Sequence, residues 1–418
     1  MYALPPGMKA ILQSPPYQIR AFAQIWQRPF PPITGSEEAV IGRQLPIPPL
    51  WIEDGQLTID NTGVQRRRGS FKVTIPPGDS SVLPTSVTSA LTPFRNYVQL
   101  WYQVFPLGSL APQDPTAGSF LLGLFTITDV EVDGTTQGDI TITVDFQDWS
   151  QDVSRRTLRA PYVTQNGMNM VTAIQDIIEY AAPGVVPWWV TDATDAYTST
   201  SAPDTLYAAG YTWDEGQDPW EAAQQMCEAI GMQMYFSPAG ALHLTFIPDP
   251  AATPVCWTYA DGSKTAVNNV TSIKRTFSQS QVFNYVEYVV EGANANPSPD
   301  LLYVGTSFLA QIGDTDPNSP TYMFGPYGVA ADVQFDQINY QQSTAVIAAK
   351  ARLRRDLGAA DMVTFTALPN PAHEAYDVVQ VYSTRIGLTQ KYVLDTIELP
   401  LSPAKDMTIT ARRVVSVP

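Results

Sequence analysis

Residues 218–250 read DPWEAAQQMCEAIGMQMYFSPAGALHLTFIPDP, and the reading of this stretch decides the fold. Asp218 is a good helix cap, Pro219 suits the first helical position, and Glu221 lies three residues after the cap. Trp220, Ala223, Cys227 and Ile230 recur as one apolar stripe, and Gly231 supplies a left-handed stop. MQMYF (232–236) then reads as a strand. SPAG (237–240) reads as a turn with Pro238 and Gly240 where a turn wants them, and ALHLTF (241–246) as the return strand. Leu242, Leu244 and Phe246 point one way; Ala241, His243 and Thr245 point the other. A helix feeding a hairpin is too regular for a linker. It also holds no constellation of reactive side chains.

That poverty extends to the whole chain. His243 and His373 are the only histidines, and a Ser-His-Asp or Cys-His system needs one of them beside a nucleophile. His243 lies on the solvent side of its strand and His373 in a turn, NPAHEAYD, so both read as structural. No phosphate-binding loop, G-x-S-x-G elbow or H-E-x-x-H occurs. Two histidines and two scattered cysteines, Cys227 and Cys256, do not build an ordinary structural zinc site without several carboxylates. The cysteines are expected as two buried thiols, a single bridge being the alternative.

Two acidic stretches resemble calcium loops and fail. In 129–140 Ile140 stands where the bidentate Glu belongs, and in 314–325 Ser319 replaces the glycine and Gly325 the Glu. Paired carboxylates for glycoside cleavage stay open, because sequence spacing says nothing of spatial distance. Trp188, Trp189, Tyr197, Tyr207, Tyr211 and Trp213 cluster in a polar middle segment. They suit either a satellite hydrophobic cluster or stacking on a sugar or a neighbouring subunit. No cofactor or metal is expected.

The formal net charge of −16 disfavours stable nucleic-acid binding without forbidding DNA to pass through a non-adhesive channel. Charged residues make up 15%, well below the roughly 25% of an average soluble chain. No targeting segment and no apolar run long enough to span a membrane is evident, so synthesis and folding in a cytoplasm are expected. A chain of 418 residues holds two to four domains. Its scattered prolines and glycines favour short strands joined by turns.

The first part alternates clearly. LWIEDGQLTID (50–60) and GSFKVTIPP (69–77) flank a basic turn, Arg66-Arg67-Arg68. In YVQLWYQVF (97–105), Val98, Leu100, Tyr102 and Val104 share the core-facing side. Tyr97, Gln99, Trp101, Gln103 and Phe105 share the other, which could cover a partner or a loop. FTITDVEVDGTTQGDITITVDF (125–146) reads as a long hairpin. MNMVTAIQDIIEYAAPG (168–184) has helical spacing. In the last third, 269–277 and 282–292 read as a strand pair. A helix at 343–358 follows, then strands at 362–368, 376–383, 391–401 and 406–417, as in a barrel or sandwich. The short basic runs at Arg66, Arg67 and Arg68, and at Arg352, Arg354 and Arg355, read as solvated surface or as cations meeting a neighbour's acids.

The order of these parts resembles the baseplate hub, or tail-tip, proteins of long-tailed phages, especially those of actinobacteria. The strand pair around Arg66 to Arg68, LTPFRNYVQLWYQV, the 121–155 hairpin region, the quoted 218–250 unit and VFNYVEYVVEG carry the likeness. Within 218–250, Trp220, Gly231, Phe236, Pro238 and Gly240 fall where the family pattern puts them.

The resemblance implies a mainly β chain with a few helices: two tube-like β-barrel domains with an α/β domain between them. The implied division is an arm at 1–16, a first barrel at 17–160, a connecting domain at 161–265, and a second barrel at 266–293 with 341–418. A loop-rich insertion occupies 294–340. It further implies a non-enzymatic virion protein at the tail tip, assembled in the host cytoplasm. Such a hub is a homotrimer joining a sixfold tail tube to a threefold tip around a DNA channel. Distal-tail or tail-tube proteins would sit above it and tip or fibre proteins below, with the tape-measure protein a further partner. Arg66, Arg67, Arg68, Tyr97, Trp101 and Phe105 are the expected subunit-interface residues. A carbohydrate-binding or wall-degrading tail protein, and a distal tail protein, are the alternatives.

Overall fold

The computed structural model of the chain describes residues 1–14, 16–27, 43–76, 82–94, 96–109, 118–134, 138–164, 168–191, 207–208, 211–262, 268–280, 282–290, 307–335, 342–403 and 405–417. After a short helix α1 (Met8–Leu12), the first part is all strand. It contains β1 (Tyr17–Gln27), β2 (Arg43–Gln44), β3 (Leu50–Trp51), β4 (Asp54–Asp60), β5 (Arg67–Ile75), β6 (Asn96–Pro106), β7 (Phe120–Gly134) and β8 (Ile140–Gln147). The middle holds α2 (Ser150–Ser154), β9 (Tyr162–Val163), β10 (Met168–Asn169), α3 (Met170–Ala181), β11 (Trp189–Thr191), β12 (Tyr207–Ala208) and β13 (Thr212–Trp213). It closes with α4 (Pro219–Ala229), β14 (Met232–Phe236) and β15 (Leu242–Phe246). The last third runs β16 (Trp257–Ala260), β17 (Val270–Phe277), β18 (Tyr285–Val290), β19 (Ser307–Gly313), β20 (Ala331–Phe335) and α5 (Gln342–Gly358). Then come β21 (Asp361–Ala367), β22 (Val378–Ser383), β23 (Leu388–Pro400) and β24 (Met407–Arg413). The chain is mainly β with a few helices.

One sheet dominates. Its hydrogen-bonded path is β17-β21-β24-β23-β4-β5-β8-β7-β6-β1-β2, with β22 on β23, β16 on β22 and β3 on β1. The two strand-rich stretches expected as separate barrels are therefore joined edge to edge, through Thr396↔Asp60, Ile397↔Ile59 and Glu398↔Thr58. A single core, from Ile19 and Phe71 to Phe365 and Ile409, lies under both. No pairing among the described residues closes this path into a barrel.

A second core belongs to the middle. There α3 and α4 pack on the β14–β15 hairpin through Ile174, Ile177, Trp220, Ala223, Phe236 and Leu244. A third forms where α5 covers a small sheet of β19-β18-β20 with Val286, Ala349, Leu353 and Leu357.

Two expectations of the last third change. Among the described residues, 269–277 do not pair with 282–290. Instead β17 pairs with β21, and β18 lies between β19 and β20. Residues 307–313 and 331–335, expected within a loop-rich insertion, supply those two strands. Both are short and stand among Pro, Gly and Asp, so their strand pattern is weak until a neighbour pairs with it.

Candidate functional site: an exposed sheet face and a buried junction

The alternation that builds the large sheet also sorts its faces. Leu57, Ile59, Phe71, Val73, Ile142, Val144, Val363, Phe365, Ile397 and Ile409 turn into the core. Their neighbours turn outward and are half-buried or exposed. Register places these outward residues beside one another across eight strands. Lys274 lies opposite Thr364, Thr364 opposite Thr410, and Thr410 opposite Thr396. Thr396 faces Asp60, Thr58 faces Arg68, and Lys72 faces Thr143, which faces Glu131. Hydroxyls bond across the strands: Thr271 with Thr366 at 2.7 Å, Ser272 with Thr366 at 2.6 Å and Thr364 with Thr410 at 3.4 Å. The face is rich in threonine. Its acids (Asp60, Asp129, Glu131, Asp133, Asp145, Glu398) outnumber its cations (Arg68, Lys72, Lys274). Asp129 even stands opposite Asp145, a like-charge pair that weakens the hairpin.

Behind the sheet, the loop 369–377 between β21 and β22 forms a buried polar junction. Glu374 is 7% exposed and receives two guanidiniums. Arg66 Nε donates to Glu374 Oε1 at 3.1 Å, while its other nitrogens donate to Gln233 Oε1 at 2.9 Å and the Ala375 carbonyl at 3.1 Å. Arg67 pairs with Glu374 Oε2 and donates to the Leu122 carbonyl at 2.7 Å. Burial would raise the Glu374 carboxyl, but the Arg67 and Arg66 charges outweigh it and hold it below its ordinary value. The Arg66 guanidinium lies 4.0 Å from the centre of the Tyr235 ring and 5.8 Å from that of Tyr376. Tyr376 sits at φ +68°, a left-handed conformation costly for a bulky residue. A second buried pair, Arg412 with Asp395, also approaches it, the Arg412 guanidinium 5.4 Å from the ring centre, and Asn61 donates to Asp395 at 3.0 Å.

The junction corrects the expectation for Arg66 and Arg67 as surface cations. Both are buried, at 7% and 3% exposed, and each is paired within the chain. A carboxylate more than 300 residues away in sequence meets them only after folding. Arg68 alone of the three is exposed, 3.8 Å from Asp60. Tyr97 is also interior, edge-on to Trp149 at 5.8 Å. Trp101 is half-buried, with its indole N–H on Gln24 at 3.1 Å, and Phe105 is half-buried near the end of β6. The second basic run is paired as well: Arg352 with Asp332, Arg354 with Asp249 and Arg355 with Asp356.

The helix–hairpin unit abuts this junction through Gln233 and Tyr235. Asp218 caps α4 through the Trp220 N–H at 2.8 Å. Trp220 stacks on Phe236 at 5.6 Å, and its indole N–H donates to the Val64 carbonyl at 2.9 Å, in the turn before Arg66. Gly231 has φ +70°, and a Cβ there would meet Ile347 Cγ2 of α5 at 2.9 Å. Gly240, at φ +84°, has Leu124 of β7 at 3.1 Å from the same notional atom. Pro238 is buried at the rim of a groove of about 670 Å³, which Trp101, Trp188, Ser119, Ser237 and His243 help to line. His243 stacks on Tyr235 at 5.1 Å. Of the middle aromatics, Trp213 is buried and Tyr211 packs edge-on against it at 4.7 Å. Tyr197 lies outside the described residues.

Sequence reading missed Glu374, Gln233, Asp395 and Arg412, since nothing local marks them. The outward threonines had a signal: TIT at 141–143 and 408–410, and TFT at 364–366, alternate with the strand period.

No protein-family model matches the chain, and no curated protein does. Solved structures do match. The tail protein from Neisseria meningitidis MC58 superposes with a TM-score of 0.59 at 12% identity, over 94% of this chain and 96% of that one. The 43 kDa tail protein of prophage MuSo2 from Shewanella oneidensis gives 0.55 at 15% identity, over 94% and 98%. A chain of the Francisella PdpA-VgrG complex gives 0.54 at 8% identity, over 96% of this chain and 59% of that longer one. Identities this low speak for the fold alone. The fold is the one found in phage tail proteins and in VgrG-type spike complexes.

Proposed function

We propose that this chain is a structural hub of a phage tail tip, with its polar sheet face turned toward a channel for DNA. The observation that carries this reading is the continuous threonine-rich, net acidic face, backed by one core. Hydroxyls solvate a passing duplex, and excess acid keeps phosphate from settling. The tail-protein fold supports the same reading. Three copies would close a ring with heterologous contacts, below a distal-tail or tail-tube ring and above tip or fibre proteins. The tape-measure protein is a further partner. The two strand-rich stretches, 17–160 and 266–293 with 341–418, would each present part of the channel wall. The helix–hairpin unit would brace the angle between them. The chain would act without catalysis, in a virion assembled in the host cytoplasm.

Imaging of intact tail tips by cryo-electron microscopy tests this directly. Three copies with the 141–143, 364–366 and 408–410 strands facing the lumen are expected. Six copies would move the chain to the distal-tail class, and a peripheral position would remove the hub reading.

The groove beside Trp101 and Trp188 favours one second reading, a carbohydrate-directed tail protein, because aromatic walls with a few hydroxyls suit a sugar. Binding of purified protein to host cell walls, abolished by Trp188→Ala, would support it.

A further inference from the structure

We propose that Cys256, His373 and Asp377 form a metal site of the zinc class that pins the 369–377 loop to β16. One donor atom from each lies within 4.8 Å of the other two. His373 and Asp377 are four residues apart in one loop, and Cys256, just before β16, joins them only through the fold. The Cys256 N–H donates to the Val378 carbonyl at 2.9 Å, and parallel pairing of β16 with β22 begins at Trp257↔Val379. This register sets Cys256 opposite Val378, the residue next to Asp377. His373 is 1% exposed and Asp377 9%, whereas Cys256 is only partly buried. Solvent therefore has a route to the cluster, and water can complete the coordination.

The donor set fits one class of ion. A thiolate, an imidazole and a carboxylate together suit a borderline-soft, tetrahedral divalent cation, and not calcium or magnesium. Metal–donor bonds of about 2.0–2.3 Å place tetrahedral donors roughly 3.5 Å apart. His373 Nδ1 and Asp377 Oδ2 already stand 3.3 Å apart. The Cys256 thiol lies within 4.8 Å of both. Tyr259 Oη lies 2.7 Å from His373 Nε2. Asn370 Nδ2 also stands 3.2 Å from that nitrogen. When Nδ1 takes the metal, the ring proton moves to Nε2 and is donated to Tyr259, the kind of outer partner that orients a metal-bound imidazole, and the Asn370 amide turns to another acceptor. Cys256 gives up its thiol proton to solvent, so one proton leaves per metal bound. Without metal the same groups form a hydrogen-bonded cluster, and the two states differ measurably.

Cobalt(II) titration of the reduced, chelator-treated full chain separates them. The expected result is one equivalent bound, with visible bands of a tetrahedral site and a near-ultraviolet thiolate charge-transfer band. Zinc should displace both. Cys256→Ser should lose the charge-transfer band and weaken binding by more than the roughly 10–100-fold seen on losing an outer partner of a ligand. Cys227→Ser, in the separate middle core, should keep both. Circular dichroism checks that each variant is folded. As a second readout, zinc should raise the melting temperature of the wild type and of Cys227→Ser, but not of Cys256→Ser. The proposal is overturned by absence of the charge-transfer band in the wild type, by its survival in Cys256→Ser, or by an equal zinc shift in all three proteins. None of these readouts depends on a role in a tail.

Discussion

The outer sheet face and the 369–377 junction are built from the same kinds of polar residue, yet they work in opposite ways. On the sheet face, Asp129, Glu131 and Asp133 stand exposed to solvent. In the junction, Glu374 lies between two guanidiniums, away from water. A solvated charge adds little to stability and contributes to the field of the surface. A buried one is tolerated only with its partners in place, and removing a single partner strands the rest. The polar face can therefore vary without unfolding the chain, whereas the junction cannot.

The harshest way to break this contrast is Glu374→Ala. It leaves Arg66 and Arg67 buried without their carboxylate and should destabilise the chain by about 3–5 kcal/mol in a denaturant melt. The pH profile sharpens it. The native Glu374 carboxyl lies below its unfolded value of about 4.3, so the unfolded chain takes up the proton first. The stability it confers is full above that value and drains away as pH falls through the lower native one. Glu374→Gln should show less of this acid-side loss than the wild type.

Asp356 offers an intermediate case. Burial pushes its carboxyl up to about 6, against the opposing Arg355 charge, and its Oδ2 has no hydrogen-bond partner among the described residues. A raised native value means that stability falls as pH rises from about 4 to about 6. Asp356→Asn should therefore stabilise the chain by about 2–3 kcal/mol at pH 8 and change little near pH 4. Paired melts at the two pH values check the sign.

Gly231→Ala tests the brace beside the junction. A left-handed φ and a Cβ 2.9 Å from Ile347 Cγ2 should cost about 1–3 kcal/mol, read as a lower denaturant midpoint. The smallest stability effect belongs to the sheet face. The variant Thr408→Lys, whose cross-strand neighbours are Thr366 and Glu398, should melt within about 0.5 kcal/mol of the wild type. In assembled particles it should slow genome release, measured by dye accessibility of ejected DNA. Unchanged release would remove the channel role from this face.

The helix–hairpin unit was legible almost to the residue. Its cap, first-turn proline, apolar stripe and glycine stop are local devices, and the observed α4, β14 and β15 follow them. The strands of the large sheet were legible for the same reason, since a period of two survives in one dimension. Pairing was not. That β4 joins β23, or that β18 leaves β17 for β19 and β20, depends on contacts far apart in sequence. The fate of charges was also hidden: Arg66 and Arg68 look alike in RRR, but one is buried against Glu374 and the other is exposed.

By itself the sequence determined most element types, the caps and turns, and the water-facing side of the strands that alternate cleanly, because these follow from dihedral preference and periodicity along the chain. Only the tertiary structure decided that two strand-rich stretches share one sheet and one core. It alone brought Arg66, Gln233 and Glu374 to one point and Cys256 beside His373 and Asp377. Such meetings are set by the packing of distant surfaces, for which a single chain of letters carries no local signal.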